Sequence, residues 1–187
     1  TGHGFSGETA PEIKKSIRTV LDHPIPGIQF RDITSLLEKP WEFKSVLTEL
    51  TSHASMFGAS CIVAVESRGF VFGTPIAEAN MLPLILARKP GKLPNDTYSK
   101  EFKLEYGETE IHIQKISPIQ GKVVIVDDLI ATGGTALACA DLVHENFGIA
   151  KEDILILAVI DLPELDGTEM LEYNGYTVQT LIEFEGE

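Results

Sequence analysis

An α/β fold, a mostly parallel twisted sheet with helices on both faces, is predicted by three features of this 187-residue chain. Residues 60–65, 82–87, 123–126 and 153–160 are short, nearly unbroken apolar runs without polar alternation, the pattern of strands covered on both faces. The runs at 60–65 and 123–126 each end in a polar or glycine-rich loop with a helical pattern after it, which is the rhythm of βα crossovers. The composition, 43% hydrophobic and 23% charged, is that of a globular chain able to bury a substantial core as one domain.

Charge narrows the function. A formal net charge of −13 argues against nucleic acid or an anionic membrane as the main partner, since both require a basic footprint. An anionic substrate therefore needs a local basic patch, and Arg68, Arg88, Lys89 and Lys92 provide one. No apolar run reaches the roughly 18 residues of a membrane span, and no signal peptide is expected ahead of the first helix. Cys61 and Cys139 lack metal-ligand spacing and fall in a strand and a helix, so they read as buried free thiols in a reducing cytoplasm.

Residues 1–22 form an N-terminal extension and a first helix. The string at 2–7 matches G-x-G-x-x-G, but no strand precedes it, and a flexible terminus is expected there instead of a dinucleotide loop. The helix is expected over residues 9–20, capped by Thr9, with Pro11 and Glu12 in its first turn and Ile13, Ile17, Val20 and Leu21 on one face. Residues 23–35 hold Pro24, Pro26 and Gly27 and predict a rigid loop with neither strand nor helix. Within it Phe30 offers a flat face for a purine, and backbone groups of Gln29 and Arg31 are suited to its edge. On the residues alone, Phe30 as a core plug and Arg31 with Asp32 as a local ion pair is the slightly better reading.

The core domain is expected over 36–187. A helix over 40–56 turns Phe43, Val46, Leu47 and Leu50 inward. The strand at 60–65 ends in Glu66-Ser67-Arg68-Gly69, where Arg68 is suited to a bidentate clamp on pyrophosphate and Gly69 admits close backbone approach. After a further helix to about residue 80, the strand at 82–87 ends in the basic string Arg88, Lys89 and Lys92. Residues 95–110 turn polar and lose periodicity, which fits an exposed hairpin or a mobile lid. Residues 111–116 alternate like a half-covered strand.

The stretch 122–135 organises the rest. Its β-branched strand stops at Asp127 and Asp128, placing both acids at a strand's carboxyl end, where open α/β sheets bind ligands. Adjacent residues of a strand face opposite ways, so the two acids meet one ligand only if the chain is already turning at Asp128. Gly133 and Gly134 strip side chains from the next loop, so that its N–H groups, with the hydroxyls of Thr132 and Thr135, can close on an anion beside Ala131. The helix that follows presents its positive end to the same place. Carboxylates would repel a phosphate but accept hydrogen bonds from a diol, so the pair of features describes a ribose 5-phosphate site. Beyond it come the strand at 153–160, a loop with Gly167, a short helix through Tyr173, a last strand at 176–182 and an acidic, solvated tail.

The string Val-Asp-Asp-Leu-Ile-Ala-Thr-Gly-Gly-Thr resembles the phosphoribosyl-pyrophosphate (PRPP) signature of the type I phosphoribosyltransferases, in the form found in adenine-specific members. Four further strings resemble the same family in order: Pro-Gly-Ile-Gln-Phe-Arg-Asp-Ile its base-binding hood, Glu-Ser-Arg-Gly-Phe its pyrophosphate loop, Arg-Lys-Pro-Gly-Lys its diphosphate-neutralising string, and Leu-Glu-Tyr-Gly the end of its lid. The resemblance runs from about Pro24 to Ile182 and implies that family's fold, with a small N-terminal hood at 23–35 and a flexible lid at about 90–110. It implies transfer of ribosyl 5-phosphate from PRPP to adenine, giving AMP and pyrophosphate, with Mg²⁺ carried mainly by the substrate and Asp127 and Asp128 the groups able to reach it. It further implies catalytic roles for Glu105, Tyr106 and Arg68, pyrophosphate contacts from Ser67, Arg68, Arg88, Lys89 and Lys92, adenine contacts from Gln29, Phe30 and Arg31, and a homodimer. Many members carry an apolar residue where Gln29 stands and tyrosine where Phe102 stands. A sister transferase acting on another base shares the cradle. A PRPP-sensing transcriptional regulator would need a DNA-binding appendage and a basic surface, and a P-loop NTPase would need Gly-Lys-Ser/Thr after the loop.

Overall fold

The computed structural model describes residues 9–104 and 107–186. The 2–7 string and the lid residues Glu105 and Tyr106 lie outside the described residues. Five parallel strands form the central sheet: β3 (Cys61–Val65), β4 (Leu84–Ala87), β7 (Val123–Ile130), β8 (Ile154–Asp161) and β9 (Thr177–Glu183), in the order β4-β3-β7-β8-β9. All five residues of β3 and all eight of β8 are buried, which is why these runs lack polar alternation.

Each face of the sheet carries its own core. On one side lie α1 (Thr9–Ser16), α3 (Pro40–Phe57) and α4 (Arg68–Ala79), contributing Ile13, Val46, Leu50, Phe72 and Ile76 against Val124, Val126 and Leu157. On the other lie α5 (Gly134–Phe147) and α6 (Gly167–Tyr173), which bury Leu142, Val143 and Leu171 against Val123, Ile125 and Ile156. Gly73 of α4 is a point of closest packing, because a Cβ there would stand 2.6 Å from that of Ala64. The buried thiols of Cys61 and Cys139 are free, as expected.

Two segments depart from the sequence reading. The first helix stops at Ser16 instead of running to residue 20, and residues 18–21 become β1 (Arg18–Leu21), paired antiparallel with β2 (Gln29–Asp32). Ile13 and Ile17 are buried as the helical face required, but Val20 and Leu21 are exposed. Cross-strand pairing thus overrides the helical spacing, and the segment expected as a rigid loop contains the four residues of β2. Ser35 holds the hairpin's root, accepting from the Arg18 N–H at 2.8 Å and donating to the Ser16 carbonyl at 2.8 Å. A short α2 (Thr34–Leu37) then leads into α3.

The polar stretch forms a second hairpin, β5 (Thr97–Leu104) and β6 (Gly107–Gln114), in register from Thr97↔Gln114 to Leu104↔Gly107. It lies along α5: Lys100 Nζ reaches the Glu145 carboxylate at 2.9 Å, and the Tyr98 and Phe147 rings meet edge-on with centroids 5.4 Å apart. Its base is tied to the end of β4, where Arg88 and His112 exchange both backbone hydrogen bonds, at 2.9 and 2.8 Å.

Candidate active site

The carboxyl ends of β3 and β7 open onto a cavity of about 450 Å³. Its walls come from Glu66, Ser67 and Arg68 after β3, Lys89 after β4, Asp127 to Ile130 of β7, and the loop from Ala131 into Ala136 at the start of α5. Every residue expected to hold the sugar phosphate, namely Asp127, Asp128, Ala131, Thr132, Gly133, Gly134 and Thr135, faces this one space.

β7 does not stop at the acids; it continues to Ile130. The expected turn is instead a slip in its alternation. Val124 and Val126 pack into the α3–α4 core and Val123 and Ile125 into the α5 core, yet beyond the acids Leu129 packs on the former and Ile130 in the latter. The ladder to β8 pairs Asp127 with Ala158 and then Leu129 with Ile160. Displacing the pattern by one residue at this step is what lets neighbouring carboxylates line the same cavity.

Gly133 has φ +82°, a left-handed conformation that favours glycine, and it caps α5. The Leu137 N–H donates to the Gly133 carbonyl at 2.9 Å, so the N–H groups of Gly134, Thr135 and Ala136 lie in the first turn, which has no intrahelical acceptors. Behind the loop sits Gly167, the first residue of α6. A Cβ there would come within 2.9 Å of the Thr132 carbonyl carbon and 3.0 Å of the Gly133 nitrogen, and closer still to the Ala131 carbonyl oxygen. The sequence reading noted Gly167 only as a turn residue. Its requirement comes from backbone meeting backbone across more than thirty residues, which no local pattern signals.

Charged groups pair with one another across the cavity. Arg68 donates through Nε to the Asp128 carboxylate in a short, direct ion pair. Burial works against the Arg68 charge, but the Asp128 hydrogen bond and charge, with Asp127 and Asp32 behind them, outweigh it and raise the guanidinium pKa. Asp127 accepts from the Asp128 N–H at 2.8 Å, and burial, then the Asp128 charge, push its carboxyl well above the ordinary carboxylate range. Burial, with the Asp127 charge added, pushes the Cys139 thiol up to about 12, so it carries no nucleophilic role.

The remaining expected residues divide. Ser67 and Lys89 line the cavity. Arg88 stands just outside, its Nε donating to Glu66 Oε1 at 2.7 Å and its guanidinium 5.9 Å from the Phe70 ring centre. Lys92 is exposed and away from the lining. Glu66, not singled out from sequence, both lines the cavity and orients Arg88; only its place beside Ser67 hinted at this. Gly69 admits the backbone of β7, not a ligand, since a Cβ would stand 2.7 Å from the Val126 carbonyl oxygen. Gln29, Phe30 and Arg31 sit together on β2, outside the cavity lining. Phe30 meets His23 edge-on at 5.0 Å, and the Arg31 side chain is turned to Thr19 and Glu185. At the cavity mouth, Gly134 lies under the hairpin, where a Cβ would be 3.7 Å from the Lys103 carbonyl oxygen.

This geometry has close relatives. The phosphoribosyl transferase domain family matches residues 53–184. An adenine phosphoribosyltransferase of Erythrobacter litoralis is 46% identical over 179 residues, 95% of this chain and 99% of that protein. The chain belongs to the adenine phosphoribosyltransferase family. A Shewanella frigidimarina member is 44% identical across 94% of this chain and 95% of its own length. Among solved structures, the adenine phosphoribosyltransferase of Thermoanaerobacter pseudethanolicus superposes with a TM-score of 0.84 at 40% identity, covering 94% of this chain and 99% of that one. The Giardia lamblia enzyme, crystallised with 9-deazaadenine, gives 0.86 at 30% identity over 98% and 99%. The type I phosphoribosyltransferase fold expected from the sequence is therefore the fold observed. No described helix is long and apolar enough to cross a membrane.

Proposed function

We infer that the chain transfers ribosyl 5-phosphate from PRPP to adenine, releasing pyrophosphate and forming AMP. The observation that carries the reading is the convergence on one cavity of an α5-terminal glycine–threonine cup, two adjacent carboxylates and the Arg68 guanidinium. The 5-phosphate occupies the cup from Ala131 to Thr135, held by amide donors and the helix end. Asp127 and Asp128 take the ribose hydroxyls. Arg68 and Lys89, with Ser67 and the neighbouring Arg88, take the diphosphate; Lys92 joins them only if the lid region brings it inward.

With phosphate and diol fixed, the anomeric carbon is the part of the sugar free to travel from leaving group to base, so binding energy is spent on the reacting geometry. Arg68 must exchange its bond to Asp128 for one to the pyrophosphate as charge develops there. Glu105, of the Leu-Glu-Tyr-Gly string, serves the purine proton or the positive charge growing on it, and Tyr106 closes the site. The hood residues Gln29, Phe30 and Arg31 hold adenine, Phe30 by its ring and the others through backbone groups.

Mg²⁺ fits the donor set: hard carboxylate oxygens on Asp127 and Asp128 beside a substrate rich in phosphate oxygens suit an ion usually held by one or two carboxylates and water. Among the described residues, no group of three or more His, Cys, Asp or Glu is placed to hold a metal. When bound, the ion neutralises diphosphate charge. The working unit is a homodimer in the cytoplasm. The test is pyrophosphate release from Mg·PRPP with adenine, hypoxanthine, guanine or orotate supplied separately. Release with adenine alone supports the assignment; preference for another base overturns it.

A further inference from the structure

Two-stranded sheets are marginal on their own, and the β1–β2 hairpin has all four residues of β1 exposed. Something else must hold its outer strand. Arg31 spans the gap: Nη1 donates across the hairpin to Thr19 Oγ1 at 2.6 Å, and Nη2 donates to the backbone carbonyl of Glu185 at 2.9 Å. The same guanidinium lies 4.8 Å from the centre of the Phe184 ring. A planar fork with several donors suits this three-way contact, where a lysine would satisfy one partner at a time.

The far side of the contact is well anchored. Phe184 is buried in the α3–α4 core, its N–H donates to the Asp161 carbonyl at 3.0 Å, and Lys14 of α1 approaches its ring at 4.9 Å. The Gly186 N–H donates to Glu164 Oε1 at 3.0 Å. Residues 184–186 thus ride on the end of β8, and Arg31 transmits that fixed position to β2.

We propose that the segment 184–186 is a positioning element for base recognition, setting through Arg31 the placement of β2, and with it Phe30 and the backbone of Gln29, above the sugar-phosphate cavity. The inference rests on the hood holding adenine, as read above. It assigns the Arg31 side chain to holding the hood, leaving its backbone for the purine.

Steady-state kinetics of Phe184→Leu, Arg31→Lys, the double variant and Phe30→Ala test it. Phe184→Leu keeps an apolar side chain in the core but removes the ring under the guanidinium. It is expected to raise the adenine KM by about tenfold, the scale of one charge-assisted contact, with the PRPP KM and kcat unchanged and the unfolding midpoint lowered by only about 2–4 °C for the smaller core side chain. Arg31→Lys raises the adenine KM similarly, and the double variant adds nothing further, because both changes break one connection. An unchanged adenine KM in Phe184→Leu while Phe30→Ala raises it overturns the positioning role but leaves the hood reading standing. A PRPP KM rising in step with that of adenine also overturns it, since general loosening would then be the cause. An adenine KM indifferent to Phe30→Ala removes the hood reading and the inference together.

Discussion

Substituting Gly167 by alanine tests whether the phosphate cup is held in place from behind. The new Cβ would lie 2.9 Å from the Thr132 carbonyl carbon, against an ordinary carbon–carbon approach of about 3.5 Å, and nearer still to the Ala131 oxygen. All of these are backbone atoms, so no side chain can swing away, and loop and helix must part by at least about 0.6 Å. Overpacking of this kind costs about 1–3 kcal/mol of stability. Because displacement of about 1 Å at a positioned group can cost about 100-fold, the affinity for PRPP and AMP should fall about 10- to 100-fold. Calorimetric titration with AMP, paired with a thermal melt, separates the two effects. Gly73→Ala is the control, since its clash with the Ala64 Cβ lies at the α4–β3 contact, away from the cavity lining, and should lower stability without touching AMP affinity. If Gly167→Ala loses stability and keeps its affinity for AMP, α6 has yielded instead of the loop, and the backing role is wrong.

Three further outcomes are expected. Glu105→Gln should lower turnover far more than PRPP affinity in single-turnover and binding measurements; weaker binding at unchanged turnover would contradict its role. Burial and the Asp128 charge make the folded chain hold the Asp127 proton more tightly than the unfolded chain, so this residue's contribution to stability is present in acid and lost as pH rises from the ordinary carboxylate value through the raised one. Asp127→Asn should therefore raise the melting midpoint at neutral pH, by about 2–4 °C for each 1 kcal/mol gained in a chain of this size, while reducing turnover; a lower midpoint would speak against the strain. Chelating Mg²⁺ with EDTA should stop pyrophosphate release but leave AMP titration intact, because the amide cup needs no metal; loss of AMP binding would place the ion at the 5-phosphate.

The parts of the site that were legible in the sequence are those built within one continuous string. Asp127, Asp128 and the loop 131–135 could be placed on one cavity because strand, acids, glycines and helix follow one another without interruption. Arg68 and Lys89 were legible for a related reason, as they directly follow apolar strands whose parallel packing brings their ends together. Arg31 was opaque: its carbonyl partner at Glu185 lies 154 residues later. Residues 18–21 misled because the spacing of Ile13, Ile17 and Val20 suits a helix, while pairing with β2 decides the outcome. Gly167 and Glu66 escaped notice because their work is done against neighbours that only the folded chain supplies.

The missed rung in β7 reaches beyond the ligand. Were strict up–down order kept through both acids, Leu129 and Ile130 would each be delivered to the wrong side of the sheet, exchanging places between two differently shaped interiors. The slip is thus the condition on which this strand carries two acids and still fills both hydrophobic layers, and deleting one acid would leave Leu129 and Ile130 on their own sides by plain alternation, emptying the cavity of a carboxylate before it disturbs the core.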